Sequence, residues 1–234
     1  MVRKTGLIAA LDTQDPAQAT AWAQAVAPSA GAIKLGLEFA YAAGFQAVAD
    51  VAGSAPLFLD LKLHDIPNTV SSAIRALSYL RPKMLTLHAS GGRAMLEAAR
   101  KACDEAFPAH ARPALLAVTV LTSLDDQALA ETGITDGACA QVLRLGKLAI
   151  DAGIDGLVCS AHELAPLRDT LGDKPLLVTP GIRPAGSAAG DQKRIMTPTQ
   201  ARDAGADWIV VGRPITQAAD PAQAAAAIAA ELAA

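Results

Sequence analysis

The sequence has few cysteines and gives them no pattern. Cys103, Cys139 and Cys159 are odd in number and fit neither a CxxC pair nor a Cys/His ligand spacing, which argues against a disulfide framework and a structural zinc site. A reducing, cytoplasmic setting is expected. Long apolar runs are also missing. Leu7 to Leu11 is short and ends in Asp12, so it reads as a first strand, not a signal peptide, and no run approaches the ~20 residues that cross a bilayer. Aromatic side chains make up 3% of the chain and the formal net charge is -3, so neither base stacking nor a basic surface suggests nucleic acid. The glycine-rich phosphate turns GxGxxG and GxxxxGK[ST] do not occur, which weakens the case for an open, doubly wound sheet.

What the chain does have is alternation. Strand-like runs fall at LIAALD (7–12), AIKLGL (32–37), LFLDLKL (57–63), MLTLHA (84–89), ALLAVTVL (114–121), GLVCS (156–160), LLVTPG (176–181) and WIVVGR (208–213). Between them lie amphipathic stretches such as Pro16 to Val26, Asn68 to Leu80, Arg93 to Ala106 and Cys139 to Ala152, and a last helix is expected from Pro221 to Leu232. Strict alternation implies a parallel sheet covered by helices, and eight units in 234 residues imply a closed (β/α)8 TIM barrel, one catalytic domain over residues 1–234. No internal repeat beyond this alternation is expected. With 52% hydrophobic residues the chain can bury such a core.

The third run, LDLKLHD (59–65), sets charges into a leucine strand. Side chains alternate between faces, so Leu59, Leu61 and Leu63 point one way and Asp60 and Lys62 the other. Lys34 is likewise out of phase with Ile33 and Leu35, and Asp12 ends the first strand. Four charges from three neighbouring strands are thus expected at the barrel mouth, where barrel enzymes build their sites. Buried ion pairs stabilise poorly, so convergence points to a site more than to structure. Two ammonium groups disfavour a divalent cation there, and a lysine flanked by carboxylates is a proton donor of fixed position.

The last two strands carry another chemistry. Thr179 to Pro184 (TPGIRP) follows strand seven, and Gly212 and Arg213 end strand eight, where barrels often bind phosphate. Gly212 permits close backbone approach and Arg213 supplies a forked cation. The small, polar segment Pro184 to Ile195 is expected to act as a lid.

Asp60-Leu61-Lys62-Leu63-His64-Asp65-Ile66-Pro67-Asn68-Thr69 resembles the DxKxxDIPNT signature of the orotidine 5'-monophosphate decarboxylase family. TVLTS (119–123), TPGIRP (179–184), GDQKRIMTP (190–198) and VVGRPI (210–215) follow in the family's order, so the resemblance spans the chain without departure at a charged position. It implies a cofactor-free and metal-free conversion of orotidine 5'-monophosphate to UMP in pyrimidine synthesis, with Lys62 as proton donor to C6. It further implies Asp60 beside the substrate carboxylate, Lys34 paired with Asp60 and a ribose hydroxyl, and Asp12 on ribose. Thr122 and Ser123 would meet the pyrimidine, Gln192 would span ring and phosphate, and Arg183, Gly212 and Arg213 would hold the phosphate. Asp65 and Thr69 would reach into the other subunit of a homodimer.

Other residues read as structural. His88 is expected to be a hydrogen-bonded histidine, His110 and His162 surface positions, the three cysteines buried apolar groups, and Asp125 and Asp126 the first turn of a short helix. The role of His64 stays open. Two other functions remain: a magnesium-dependent sugar-phosphate decarboxylase or aldolase on the same scaffold, and a non-catalytic barrel that binds a phosphate ligand.

Overall fold

Eight parallel strands close into a ring in chain order, each hydrogen-bonded to the next and the last to the first. The computed structural model describes residues 4–184 and 196–234. The strands are β1 Gly6–Ala10, β2 Ala32–Gly36, β3 Leu57–Leu63, β4 Met84–His88, β5 Ala114–Val118, β6 Gly156–Val158, β7 Leu176–Thr179 and β8 Trp208–Val211. Around them, among the described residues, lie α1 Pro16–Val26, α2 Leu37–Ala52, α3 Pro67–Ala76, α4 Gly92–Ala106, α5 Asp126–Glu131, α6 Gly137–Asp151, α7 Leu164–Leu171, α8 Pro198–Asp203, α9 Arg213–Thr216 and α10 Pro221–Ala233. This is the TIM barrel that alternation implied.

Side-chain parity builds the two layers of the core. Ile8, Ala10, Ala32, Phe58, Met84, Leu116, Val178 and Val210 pack together inside the ring, and every one has an even number. Their odd-numbered neighbours, such as Leu35, Leu59, Leu85, Leu115, Leu157 and Ile209, meet the helices. The same parity carries Asp12, Lys34, Asp60 and Lys62 to the inner face, above the apolar layer, at the C-terminal ends of the strands.

Local chemistry starts the helices. Asp15, Asp125 and Asp220 accept backbone N–H groups from the first turns of α1, α5 and α10, and Thr197 and Gln200 cap α8 reciprocally. Proline opens α1, α3, α8 and α10, where its missing N–H costs nothing. Asp125 and Asp126 thus begin a short helix as expected.

Three expectations need correction. Seven of the eight strands are shorter than their apolar runs, β1 ending at Ala10 and β5 at Val118 as the chain turns to form the mouth, whereas β3 fills its run from Leu57 to Leu63. The helix expected from Asn68 to Leu80 stops at Ala76 and continues as a 3-10 turn, Ser78–Leu80. Cys103 and Cys159 are buried but Cys139 is exposed, since α6 turns Ala138, Val142, Leu145 and Ala149 inward.

Contrary to the expectation of no further repeat, the chain holds a short one. Asp151-Ala152-Gly153-Ile154-Asp155 and Asp203-Ala204-Gly205-Ala206-Asp207 share the pattern DAGxD, each just before a strand. Gly153 and Gly205 take positive φ of 85° and 100°, each against the stem of an arginine. Asp155 Oδ2 accepts from the Leu115 amide and from Arg100, both at 2.8 Å. Asp207 Oδ2 accepts from the Leu177 amide at 2.7 Å and from Arg168 at 2.6 Å. The same clamp therefore fastens β5 to β6 and β7 to β8, at the end of the barrel opposite the mouth.

Candidate active site

At the mouth the four converging charges form one alternating array. Lys34 Nζ lies 2.8 Å from Asp12 Oδ1 and 3.7 Å from Asp60 Oδ2, and Lys62 Nζ donates to both Asp60 oxygens at 2.9 Å. Thr86 Oγ1 donates to Asp60 Oδ1, also at 2.9 Å. Asp60 is therefore held by three side chains from three strands.

The array sets the charge of its members. Burial works against the Lys34 ammonium, but the carboxylates of Asp12 and Asp60 outweigh it and hold its pKa above the ordinary lysine value. Burial likewise works against an ionised Asp60. The ammonium groups of Lys34 and Lys62, with hydrogen bonds from Lys62 and Thr86, overcome it and keep Asp60 below the usual carboxylate range.

Backbone geometry aims these groups. Lys62 sits at φ 50°, a conformation uncommon for a residue with a side chain. There β3 slips against β4: Leu59 pairs with Leu85 and Leu63 with Leu87, so three residues of β3 face Thr86 alone. Gly36 makes room for Lys34, because a Cβ there would stand 3.1 Å from its Nζ. Neither Thr86 nor Gly36 was picked out from the sequence. Thr86 shares the inward parity of Asp60 and Lys62, which was the available signal.

Beside the array lies a cavity of about 200 Å³, lined by Lys34, Asp60 and Lys62 together with Val118, Val120, Leu121, Val158, Pro180 and Thr122. Ionic groups thus face an apolar wall across a space open to the mouth. Thr122 lines it, whereas Ser123 is exposed beside it. Gly212 lies across from Asp12, where a Cβ would come 3.8 Å from Asp12 Oδ2, and the exposed Arg213 begins α9. Arg183 is buried, with Nη1 donating to the Ile182 carbonyl and its backbone N–H donating to Met196 O. Gln192 lies outside the described residues, as does the expected lid beyond Pro184.

Asp65 and Thr69 do not join the array. Asp65 is exposed and its Oδ1 accepts from the Ile66 amide at 2.7 Å, and Thr69 is exposed in the first turn of α3. Ile66 between them leaves two thirds of its surface, 67%, in solvent. His88 is half-buried with its ring 5.2 Å from that of His64, and among the described residues no hydrogen bond meets the expectation for it. Burial, His64 and the Lys62 ammonium push its pKa below the ordinary histidine value against the pull of Asp60. His110 and His162 are exposed, as expected.

A protein-family model described as "Orotidine 5'-phosphate decarboxylase / HUMPS family" matches residues 5–228. The chain belongs to this family. An orotidine 5'-phosphate decarboxylase of Gluconobacter oxydans is 63% identical over 234 residues, covering 100% of this chain and 99% of the relative. One from Rhodospirillum rubrum is 53% identical over 227 residues, covering 95% and 92%. The crystal structure of the orotidine 5'-phosphate decarboxylase of Lactobacillus acidophilus superposes with a TM-score of 0.84 at 39% identity, covering 98% of this chain and 100% of that one. Membership of the orotidine 5'-phosphate decarboxylase / HUMPS family thus accompanies the same barrel fold.

Proposed function

We propose that the chain decarboxylates orotidine 5'-monophosphate to UMP and CO2, the last step of pyrimidine nucleotide synthesis, without metal or cofactor. The chain is a carboxy-lyase. The observation that carries the finer reading is the array Asp12–Lys34–Asp60–Lys62 facing an apolar cavity.

The reaction breaks the bond between C6 and the carboxylate, leaving its electron pair on an sp2 carbon that the ring cannot delocalise well. Stabilisation must then come from charge already in place. Lys62 presents an ammonium there and transfers its proton to C6, and the neutral amine regains a proton from solvent. Asp60 orients that ammonium and stands beside the departing carboxylate. Lys34 and Asp12 bind ribose, Thr122 and Ser123 meet the pyrimidine, and Arg183, Gln192, Gly212 and Arg213 hold the phosphate. Binding energy gathered at the phosphate can be used to fix the reacting end.

Both Asp60 oxygens already accept from donors, which leaves this carboxylate poorly suited to a cation and favours the metal-free route over a magnesium-dependent one. A barrel that only bound phosphate would have no use for a lysine held this way. Asp65 and Thr69, flanking the exposed Ile66, complete the site of a second copy in a homodimer, a role their outward placement supports. The assay is the loss of orotidine 5'-monophosphate absorbance, with UMP formed, on adding metal-stripped protein. Activity that persists in EDTA is expected. Strict dependence on added magnesium, or binding without turnover, would overturn the reading.

A further inference from the structure

We propose that Thr86 is a positioning residue of this reaction, whose hydroxyl ties the proton-donating lysine to its carboxylate across the irregular part of β3. The inference rests on the decarboxylase reading above.

Three residues of β3, Asp60, Leu61 and Lys62, bulge opposite the single residue Thr86 of β4. Regular pairing is lost over this stretch, yet its two ends meet on one atom. Thr86 Oγ1 accepts the Lys62 backbone N–H at 2.9 Å and donates its proton to Asp60 Oδ1 at 2.9 Å. A threonine hydroxyl has one proton to donate, so the donation to Asp60 uses all of it. Thr86 is fully buried, at 0% exposure, and its branched Cβ restricts the rotation that would break either contact.

The two contacts fix different things. The accepted bond gives a partner to a backbone N–H that the bulge removes from the ladder, and so holds Lys62 at φ 50°. A conformation of this kind is strained and persists only where the surroundings determine it. The donated bond fixes one oxygen of Asp60, the group that receives the Lys62 ammonium. Both the root of the lysine and the far end of its ion pair are thus referred to one hydroxyl. Without it the ammonium would keep its charge but lose its address.

Thr86 does not line the cavity, so a substitution there removes no contact to a ligand. Thr86→Val keeps the shape and removes the hydroxyl, and Thr86→Ser keeps the hydroxyl and removes the methyl. Thr86→Val is expected to lower kcat about 10- to 100-fold, the scale of one hydrogen bond to a charged group. KM for orotidine 5'-monophosphate and Kd for UMP by calorimetry should stay within about threefold, because their main contacts lie elsewhere. Thr86→Ser should restore kcat to within about threefold of wild type.

A Val variant with wild-type kcat would overturn the proposal, as would UMP affinity falling by the same factor as kcat, which is the mark of general damage. If the Val variant does not fold, Thr86→Ala against Thr86→Ser makes the same comparison between two small residues. Equal kcat in that pair rejects the proposal, and an active Ser beside an impaired Ala supports it. Failure of the wild-type protein to release CO2 from orotidine 5'-monophosphate would instead reject the decarboxylase reading, which keeps the two failures distinct.

Discussion

The Lys62 ammonium reaches back along its own strand to both oxygens of Asp60, 2.9 Å from each, from a backbone turned to φ 50°. Two residues that would merely share a face in a regular strand are bound into one unit. Lys62→Ala is expected to stop UMP formation while leaving circular dichroism and oligomeric state unchanged. Formation near the wild-type rate would remove Lys62 from the proton transfer. Lys62→Gly should be more stable than Lys62→Ala by about 1 kcal/mol in urea unfolding, because glycine adopts positive φ without steric cost.

The array also predicts a pH dependence of stability. The folded pKa of Lys34 lies above its ordinary 10.5, so its contribution is complete below that value and is lost as pH rises through the folded pKa. The folded pKa of Asp60 lies below its ordinary 3.8, so its contribution is present above 3.8 and is lost as pH falls toward and through the folded pKa. Urea unfolding across pH should show a plateau between these limits as far as the array is concerned. Asp60→Asn should make the acid-side decline shallower, and a decline as steep as wild type would contradict this assignment.

At the other end of the substrate, Arg213→Ala is expected to weaken UMP about 10-fold or more while changing uridine affinity little, since a charge-assisted contact to phosphate is worth about 1.5–3 kcal/mol. Calorimetry with both ligands gives the comparison. Equal losses for the two would take Arg213 out of the phosphate site.

Far from the mouth, Asp207→Ala leaves the largely buried Arg168 without its carboxylate and the Leu177 amide without its acceptor. A loss of about 3–5 kcal/mol in unfolding free energy is expected from breaking such a pair. In the fraction that stays folded, kcat should be unchanged, because this clamp lies at the end of the barrel away from the chemistry. A selective fall in kcat without loss of stability would show that the two ends are coupled.

Much of this was legible before the structure. Alternation counted the strands, and parity placed Asp12, Lys34, Asp60 and Lys62 on one face because a strand's geometry repeats every two residues. Parity alone could not reveal the slip of β3 against β4, which depends on two strands meeting at a register neither encodes by itself. Thr86 was hidden for the same reason: threonine is an ordinary strand former, and only its neighbour's bulge gives its hydroxyl two partners. The DAGxD repeat could have been read directly, since Gly153 and Gly205 stand at fixed distance from an aspartate and a strand. Cys139 is exposed where burial is expected because a small apolar residue on a helix can face either way, and the face is decided by Val142, Leu145 and Ala149.

The two DAGxD clamps give the barrel a hub that owes nothing to its reaction. Four consecutive strands are fastened where no substrate comes, so insertions and substitutions at the rim need not be vetted by the ring's closure. Such a division separates assembly from chemistry: the catalytic rim can change while these two aspartates keep the staves aligned.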